Sequence, residues 1–422
     1  MNPHWRWLTS ATLAVISGFF FLVFLTGLSG EVSKSNPATT RSANHVEGST
    51  FTFSPPIELT GHPPSPAFFQ QNIEPEIKVD IWGTIYVTAI QGVPGGTDFW
   101  KSIDQGASFV YLGQPDGAQD HCMPPDPQCA GLGGGDDSID VSSGGYLYVS
   151  SLWLGGVTHS TSFDGGTGGV MPGQAWQVNP SANGNPPVPV SDRQWLAAYG
   201  PQTLYMTWDQ APANTGIWFT KSTNAGQTFS VPTNLLGVGS ISREYSMAVD
   251  QYNGNTYFTY SPVNAPNQIN IFRSTDGGAT FAQFPVYTGA AGTSVENAFV
   301  AIAIDKGGNI HLAFTRSNGL TARTNAHVFL MSSTDQGATW LPPVQVDSGG
   351  NTQSTVMPWI VAGSPGVVDI TWYGSSSTSP DSPPFDWHVF FAQTNNALSP
   401  NPTFTQVMAV PGQVHDAAIC SQ

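Results

Sequence analysis

Carboxylates, arginines and large aromatic rings recur at two kinds of place in this sequence, each flanking a short apolar run. Before one run stand Glu74 and Glu76, then Asp136 and Asp137, Asp192 and Arg193, Arg243 and Glu244, and Glu296. After the next run stand Gln91, Trp153, Trp208 with Asp209, Tyr260, Arg316, and Trp372 with Tyr373. Paired carboxylates can hydrolyse a glycosidic bond, one protonating the leaving oxygen while the other attacks or activates water. A separation of about 5 Å gives retention and about 6.5–9.5 Å gives inversion. Glu76, Asp137, Asp192, Asp209 and Glu244 are the candidates for such a pair on a neutral or uronic sugar. Aromatic faces interleaved with acids and amides suit a sugar ring, and three of the five arginines beyond residue 50 (Arg193, Arg243, Arg316) fall in this set.

Each of these residues has a structural alternative. Asp192-Arg193 and Arg243-Glu244 read equally as ion pairs tying neighbouring sheets. Trp153, Trp208 and Trp372 serve a core as well as a binding platform. His311 alternates with apolar neighbours and reads as a buried, satisfied histidine. The stretch Gly133–Asp137 reads as a loop entering a strand, with calcium as the alternative; no cofactor or metal is otherwise implied.

Short strands must carry these residues. Glu76–Asp80, a glycine turn and Thr84–Thr88 form the first hairpin, and parallel copies begin at Asp137, Arg193, Glu244, Asn297 and Met357. Apolar runs joined by glycine-containing turns are hairpins. In an antiparallel pair the start of the first strand and the end of the second lie at one edge, so all the residues above are expected on one face.

A second unit follows each hairpin. Ser102-Ile103-Asp104-Gln105-Gly106-Ala107-Ser108-Phe109 returns at Ser222–Phe229, Ser274–Phe281 and Ser333–Trp340, with degenerate copies at Ser162–Thr167 and near Thr394. The Asp or Asn is expected to accept N–H bonds two residues on, while Gly supplies a positive φ. Six hairpins, each followed by strand–turn–strand, give an all-β, six-bladed β-propeller of four-stranded antiparallel blades over 51–422. The segment Phe53–Leu59 matches Trp340–Val346 and is expected to pair with the last blade and close the ring.

The turn Ser/Thr-x-Asp-x-Gly-x-Thr-Trp/Phe resembles the Asp-box (BNR) repeat of sialidases and related secreted propellers, over about residues 51–410. The resemblance implies the propeller fold and glycan recognition at the axial face. Carried over, sialidase chemistry implies a substrate-carboxylate clamp of Arg193, Arg243 and Arg316. It also implies a Tyr373 nucleophile assisted by Glu244 or Glu296, and Asp136 or Asp137 as acid/base. The family's Arg-Ile-Pro element of the first blade is missing, with Glu74-Pro75-Glu76-Ile77 in its place. A non-catalytic propeller that binds glycan or protein at the cell surface is the alternative reading.

Composition narrows the partners. The net charge of −16 with 12 Lys and Arg in all excludes a phosphate backbone, whose binding needs cations to release counterions. His4 and Arg6 precede an apolar run from Leu8 to Leu28, with small residues Gly27 and Ser29 before a cleavage point. Residues 1–29 thus read as a signal peptide or a retained membrane anchor, and either places the remainder outside the cytoplasm. Residues 30–50 read as a disordered linker. In an oxidising compartment Cys122 and Cys129 are expected to close the loop between them as a disulfide, leaving Cys420 over.

Overall fold

The computed structural model describes residues 51–61, 73–92, 96–116, 133–153, 156–166, 176–184, 191–210, 216–237, 240, 242–295, 299–319, 323–410 and 412–419. The leader, the linker, Glu296 and all three cysteines lie outside the described residues. The protein is all-β, a six-bladed β-propeller whose blades follow one another along the chain.

The first blade holds β1 (Ile73–Val79), β2 (Ile85–Ile90), β3 (Thr97–Ser102) and β4 (Val110–Tyr111). The second holds β5 (Asp137–Val141), β6 (Leu147–Trp153), β7 (Gly156–Ser162) and β8 (Gln177–Asn179). The third holds β9 (Ser191–Tyr199), β10 (Thr203–Gln210), β11 (Ile217–Ser222) and β12 (Thr233–Asn234). The fourth holds β13 (Ser242–Val249), β14 (Thr256–Pro262), β15 (Gln268–Ser274) and β16 (Ala282–Thr288). In the fifth the inner strand is in two pieces, β17 (Thr293–Ser294) and β18 (Ala301–Ile304), followed by β19 (Ile310–Asn318), β20 (Thr324–Ser333) and β21 (Val344–Gln345). The sixth holds β22 (Ser354–Ala362), β23 (Val368–Ser375), β24 (His388–Thr394) and β25 (Thr405–Met408). These form two compact units, Pro56–Gly254 and Asn255–Gln422, the latter with residues 51–55.

Burial explains why the second strands are so apolar. Every residue of β2 is buried, and β5 of the second blade packs against it. In the first unit β1, β5, β9 and β13 contact one another in turn, and Tyr148, Val157, Leu196, Met206 and Trp208 fill the space between the second and third blades. In the second unit β22 packs on β18, β19 and β20, around Leu330, Ile360, Ile370 and Trp372.

The Ser-x-Asp turn is a closed hydrogen-bond circuit. Ser102 Oγ donates to Asp104 Oδ1 at 2.8 Å and accepts from Gly106 N at 2.9 Å. Asp104 then accepts from Ser108 N at 2.9 Å and Ser108 Oγ at 2.6 Å. The backbone donor lies four residues on rather than the expected two, because two consecutive left-handed residues, Gln105 (φ 64) and Gly106 (φ 84), lengthen the turn. The same circuit holds at Asp276 and Asp335. The glycine has a second reason in the third blade: a Cβ at Gly226 would stand 2.1 Å from His159 Nε2 of the second.

The expected ring-closing strand at 53–59 is not formed. The sixth blade ends with its own β25, and residues 51–61 have no strand structure. Phe51 and Phe53 instead set their rings edge-on against Phe391 of β24, at 4.9 and 5.3 Å. His311 is buried and satisfied as expected, its Nε2 3.1 Å from Asp305 Oδ2 and its Nδ1 2.8 Å from Ser332 Oγ.

Candidate functional site

The entrances to the inner strands share a backbone device. In β1, Ile73 pairs with Ile90 and Glu76 with Thr88; in β9, Asp192 pairs with Asp209 and Trp195 with Thr207; in β22, Val356 pairs with Tyr373 and Trp359 with Thr371. Each places three steps opposite two, which is a β-bulge of one extra residue. The residue after the first pair is left-handed every time: Glu74 (φ 49), Arg193 (φ 52) and Met357 (φ 52). Register places Phe299 (φ 61) at the corresponding point of the fifth blade. Asp136 and Glu244 occupy it in the second and fourth. The position is therefore charged throughout the first unit (Glu74, Asp136, Arg193, Glu244) and apolar in the second (Phe299, Met357).

Side chains from these entrances meet within the first unit. Asp136 Oδ2 accepts Arg193 N at 3.1 Å, its carbonyl accepts Gln194 Nε2, and the Asp192 carboxyl approaches its own. Asp192 lies directly across the ladder from Asp209. Glu76 Oε2 accepts Ile139 N at 2.9 Å and Ser138 Oγ at 3.2 Å, tying β1 to β5. Lys78 Nζ stands 3.7 Å from Asp140.

The acids of this cluster are held towards their neutral forms. Burial, then the charge of Asp136, pushes Glu74 up to about 7, against the opposing pull of Arg193. Burial pushes Glu76 up to about 7 despite Lys78. Burial and Asp136 push Asp192 up to about 6, and burial and Asp192 push Asp209 up to about 7. Asp137 and Glu244 are raised well above the carboxylate range, chiefly by burial. Burial lowers Lys78, but Asp140 and Glu76 outweigh it and the net shift is upward. Glu74 is exposed and Glu76 and Lys78 half-buried by surface area, although protein crowds them enough for desolvation to dominate.

The expected residues divide by access. Glu74, Glu76, Asp136, Asp192 and Arg193 keep accessible surface and adjoin one another. Asp209 and Glu244 have none, and Asp137 is 7% exposed, so these three stand behind the accessible ones. Neither carboxylate oxygen of any of the three makes a hydrogen bond of good geometry. Thr88 approaches Asp137, Thr207 approaches Glu244, and the Glu244 amide approaches Asp209. Arg243 and Trp153 are half-buried in the same unit.

Arg316, Trp372 and Tyr373 belong to the second unit. Arg316 Nη1 donates to Tyr287 Oη at 3.1 Å, and its guanidinium lies 4.0 Å over the Phe329 ring. Trp372 is 2% exposed and stacks on Phe390 at 5.8 Å, so of its two readings it fills the core role. Tyr373 is buried, and that burial raises its hydroxyl above the usual phenol range.

Two groups escape sequence reasoning. Lys78 reads as an ordinary strand residue; its place two residues beyond Glu76, on the same side of a strand, is the signal that could have found it. A buried network in which Asp98 accepts from Gln91 Nε2 (2.6 Å) and Tyr111 Oη (2.9 Å), and Asp116 from Thr97 N (2.9 Å) and Ser151 Oγ (3.0 Å), has no local signature.

No protein-family model matches the chain, and no curated protein matches it in sequence. Among solved structures it is similar to a protein of unknown function from Dyadobacter fermentans (14% identity, 76% of this chain and 93% of that one, TM-score 0.46). It is similar to a polysaccharide lyase acting on ulvan (10% identity, 80% and 92%, TM-score 0.47). It is also similar to a sialidase from Streptococcus pneumoniae (12% identity, 83% and 63%, TM-score 0.43). Identities this low say nothing about chemistry.

Proposed function

We propose that the chain is an exported glycan-recognising propeller that hydrolyses glycosidic bonds at the carboxylate cluster of its first unit. The observation that carries this reading is the approach of the Asp136 and Asp192 carboxyls, Asp136 held by the Arg193 amide and Asp192 facing Asp209 across the ladder. Burial and the neighbouring Asp136 charge push Asp192 up to about 6, since desolvation and a like charge both disfavour ionisation. Acids placed to give and take protons near neutral pH are what general acid–base catalysis requires.

In this reading Glu74, at the open edge, protonates the leaving oxygen, while Asp192 lies too close to Asp136 to face it across a glycosidic bond and supports that carboxyl from the side. Asp136, anchored by the Arg193 amide, is the partner carboxylate that receives a proton from water or stabilises the developing positive charge on the sugar. Arg193 orients the substrate through its hydroxyls. Burial, with the charges of Asp136 and Asp192 at Glu74 and of Asp136 at Asp192, holds the accessible acids towards their protonated forms. The apolar segment Leu8–Leu28 supports export.

Screening the purified protein on a glycan array, followed by turnover assays on each hit, tests the proposal. Binding and hydrolysis are expected, with Arg193→Ala weakening binding about tenfold at an unchanged melting temperature. Binding without hydrolysis of any hit overturns the catalytic part and leaves a glycan-binding module. Silence on every glycan overturns the whole reading.

A further inference from the structure

His159 is a buried ionisable group outside the carboxylate cluster. It lies on β7 with no accessible surface, and its ring faces the third blade. Phe229 meets the ring edge-on at 5.2 Å, Tyr148 of β6 lies 5.8 Å away, and the Gly226 backbone closes the space at Nε2. Counting hydrogens fixes its tautomer. Nε2 stands 3.0 Å from Thr161 Oγ1, which donates to the Ala225 carbonyl at 2.9 Å. A hydroxyl has one proton to give, so Thr161 accepts from Nε2–H and Nδ1 holds a bare lone pair. That Nδ1 is buried without a hydrogen-bond partner.

We propose that the seam between the second and third blades is a proton-operated latch, closed while His159 is neutral and opened in mildly acidic surroundings by protonation at Nδ1. A proton there creates an imidazolium beside Tyr148, Phe229 and the Ala225–Gly226 backbone, with no counter-charge. Tyr148 is the titratable side chain against the ring, and burial keeps its hydroxyl neutral, pushed up to about 12. The strand β8 presents Asn179, the third-blade turn Asn224 and Gln227, and the third blade's inner strands Leu196 and Met206, all uncharged. His311 is buried as deeply, but Asp305 stands at its Nε2 and Ser332 at its Nδ1, so a proton there meets a carboxylate. A phenyl ring would fill the place of His159 without the unpaired nitrogen; what the imidazole adds is a response to acid.

Burial lowers His159 to about 3, below the value of about 6.5 for an unfolded histidine. The stability that goes with the neutral ring is complete above about pH 6.5 and is lost as pH falls towards about 3. Any opening that wets the ring takes up a proton, so its equilibrium constant rises about tenfold per pH unit between about 6 and 4. Opening is confined to the outer strands, because the inner ones stay laced. Ser138 Oγ accepts Leu196 N at 3.2 Å, and Asp140 Oδ2 accepts Ala198 N at 2.7 Å. The latch holds whether or not the carboxylate cluster is catalytic.

The test is amide hydrogen exchange of the full chain, corrected for intrinsic rates, beside a His159→Gln variant that keeps a donor towards Thr161 and has no proton to gain. Between about pH 6.5 and 4.5 the protection of β7 and β11 is expected to fall about fiftyfold more in the natural chain than in the variant. The amides of β23, in the other unit, are expected to differ little between the two. Equal losses of protection in both proteins overturn the proposal. Ring signals of His159 followed by NMR in the natural chain need no variant, and are expected to stay those of the neutral form down to about pH 4. A ring that titrates near pH 6.5 with β7 still protected overturns the latch as well.

Discussion

Asp104 and Asp209 carry the same side chain on the same kind of blade, one in the turn after a third strand and the other at the end of a second strand. At Asp104 two Ser108 donors and the Ser102 hydroxyl hold the carboxylate down at about 2, in full contact with solvent. At Asp209 no well-formed bond compensates for burial, and the carboxyl is pushed up to about 7. Asp335 repeats the first case, and Asp137 and Glu244 the second. Acids in the turns staple the backbone; acids at the inner-strand entrances are kept under-satisfied. Proteins accept such local instability where it serves chemistry or binding, and that contrast singles out the first unit's inner edge more sharply than composition does.

The contrast can be broken most severely at the proton donor of the proposed reaction. Glu74→Gln is expected to lower turnover of a cleavable glycan by about 10²–10⁴-fold with no fall in melting temperature; full retained activity would return Glu74 to a purely structural role. Next in size is removal of a partner from a satisfied acid. His311→Ala takes one donor from the buried Asp305 carboxylate, which keeps those of Gly307, Asn309 and Gly366, and orphans Ser332 Oγ; it is expected to lower stability by about 1–3 kcal/mol in thermal unfolding.

Replacing an under-satisfied acid should act in the other direction, with a definite dependence on pH. The folded value of Asp209, about 7, lies above that of an unfolded aspartate. The stability associated with its protonation is therefore fully present below about pH 4 and lost as pH rises through about 7. Asp209→Asn should raise the melting temperature at pH 8 by a few degrees and leave it unchanged or lower at pH 4. A fall at both pH values would show that Asp209 is satisfied after all.

The smallest effect is expected in a single turn. Ser274→Ala removes the hydroxyl that donates to Asp276 Oδ1 and accepts Gly278 N, at about 1–2 kcal/mol. The turn acids themselves are depressed below the unfolded value. Their contribution is present above about pH 4 and lost as pH falls through about 2, so the chain should lose stability steeply in strong acid.

The fold is legible in the sequence because its defining turn is local. Ser, Asp and Gly within one short stretch make the circuit without help from elsewhere, and the hairpins before them alternate as strands must. Ring closure is not legible, for a related reason: the outer strands are short, with only Val344–Gln345 in β21, so a sequence match such as Phe53–Leu59 carries little pairing specificity. At the site, the positions of Asp136, Asp192 and Arg193 follow from strand order. The contact between Asp136 and Asp192 joins two blades and has no trace in either local sequence. The bulges do leave a trace: Pro75 follows Glu74 and Pro358 follows Met357, and a proline inside a strand is confined to places where the ladder is interrupted.

Those bulges have a consequence for how this scaffold can diversify. An inserted residue sits outside the interstrand hydrogen-bonding, so exchanging Glu74, Arg193 or Met357 leaves every rung beside it intact. The present chain already displays an acid, a base and a thioether at that slot without any change to the blades that carry them. The side chain displayed at that slot can therefore change by a single substitution while the ladder beside it is kept.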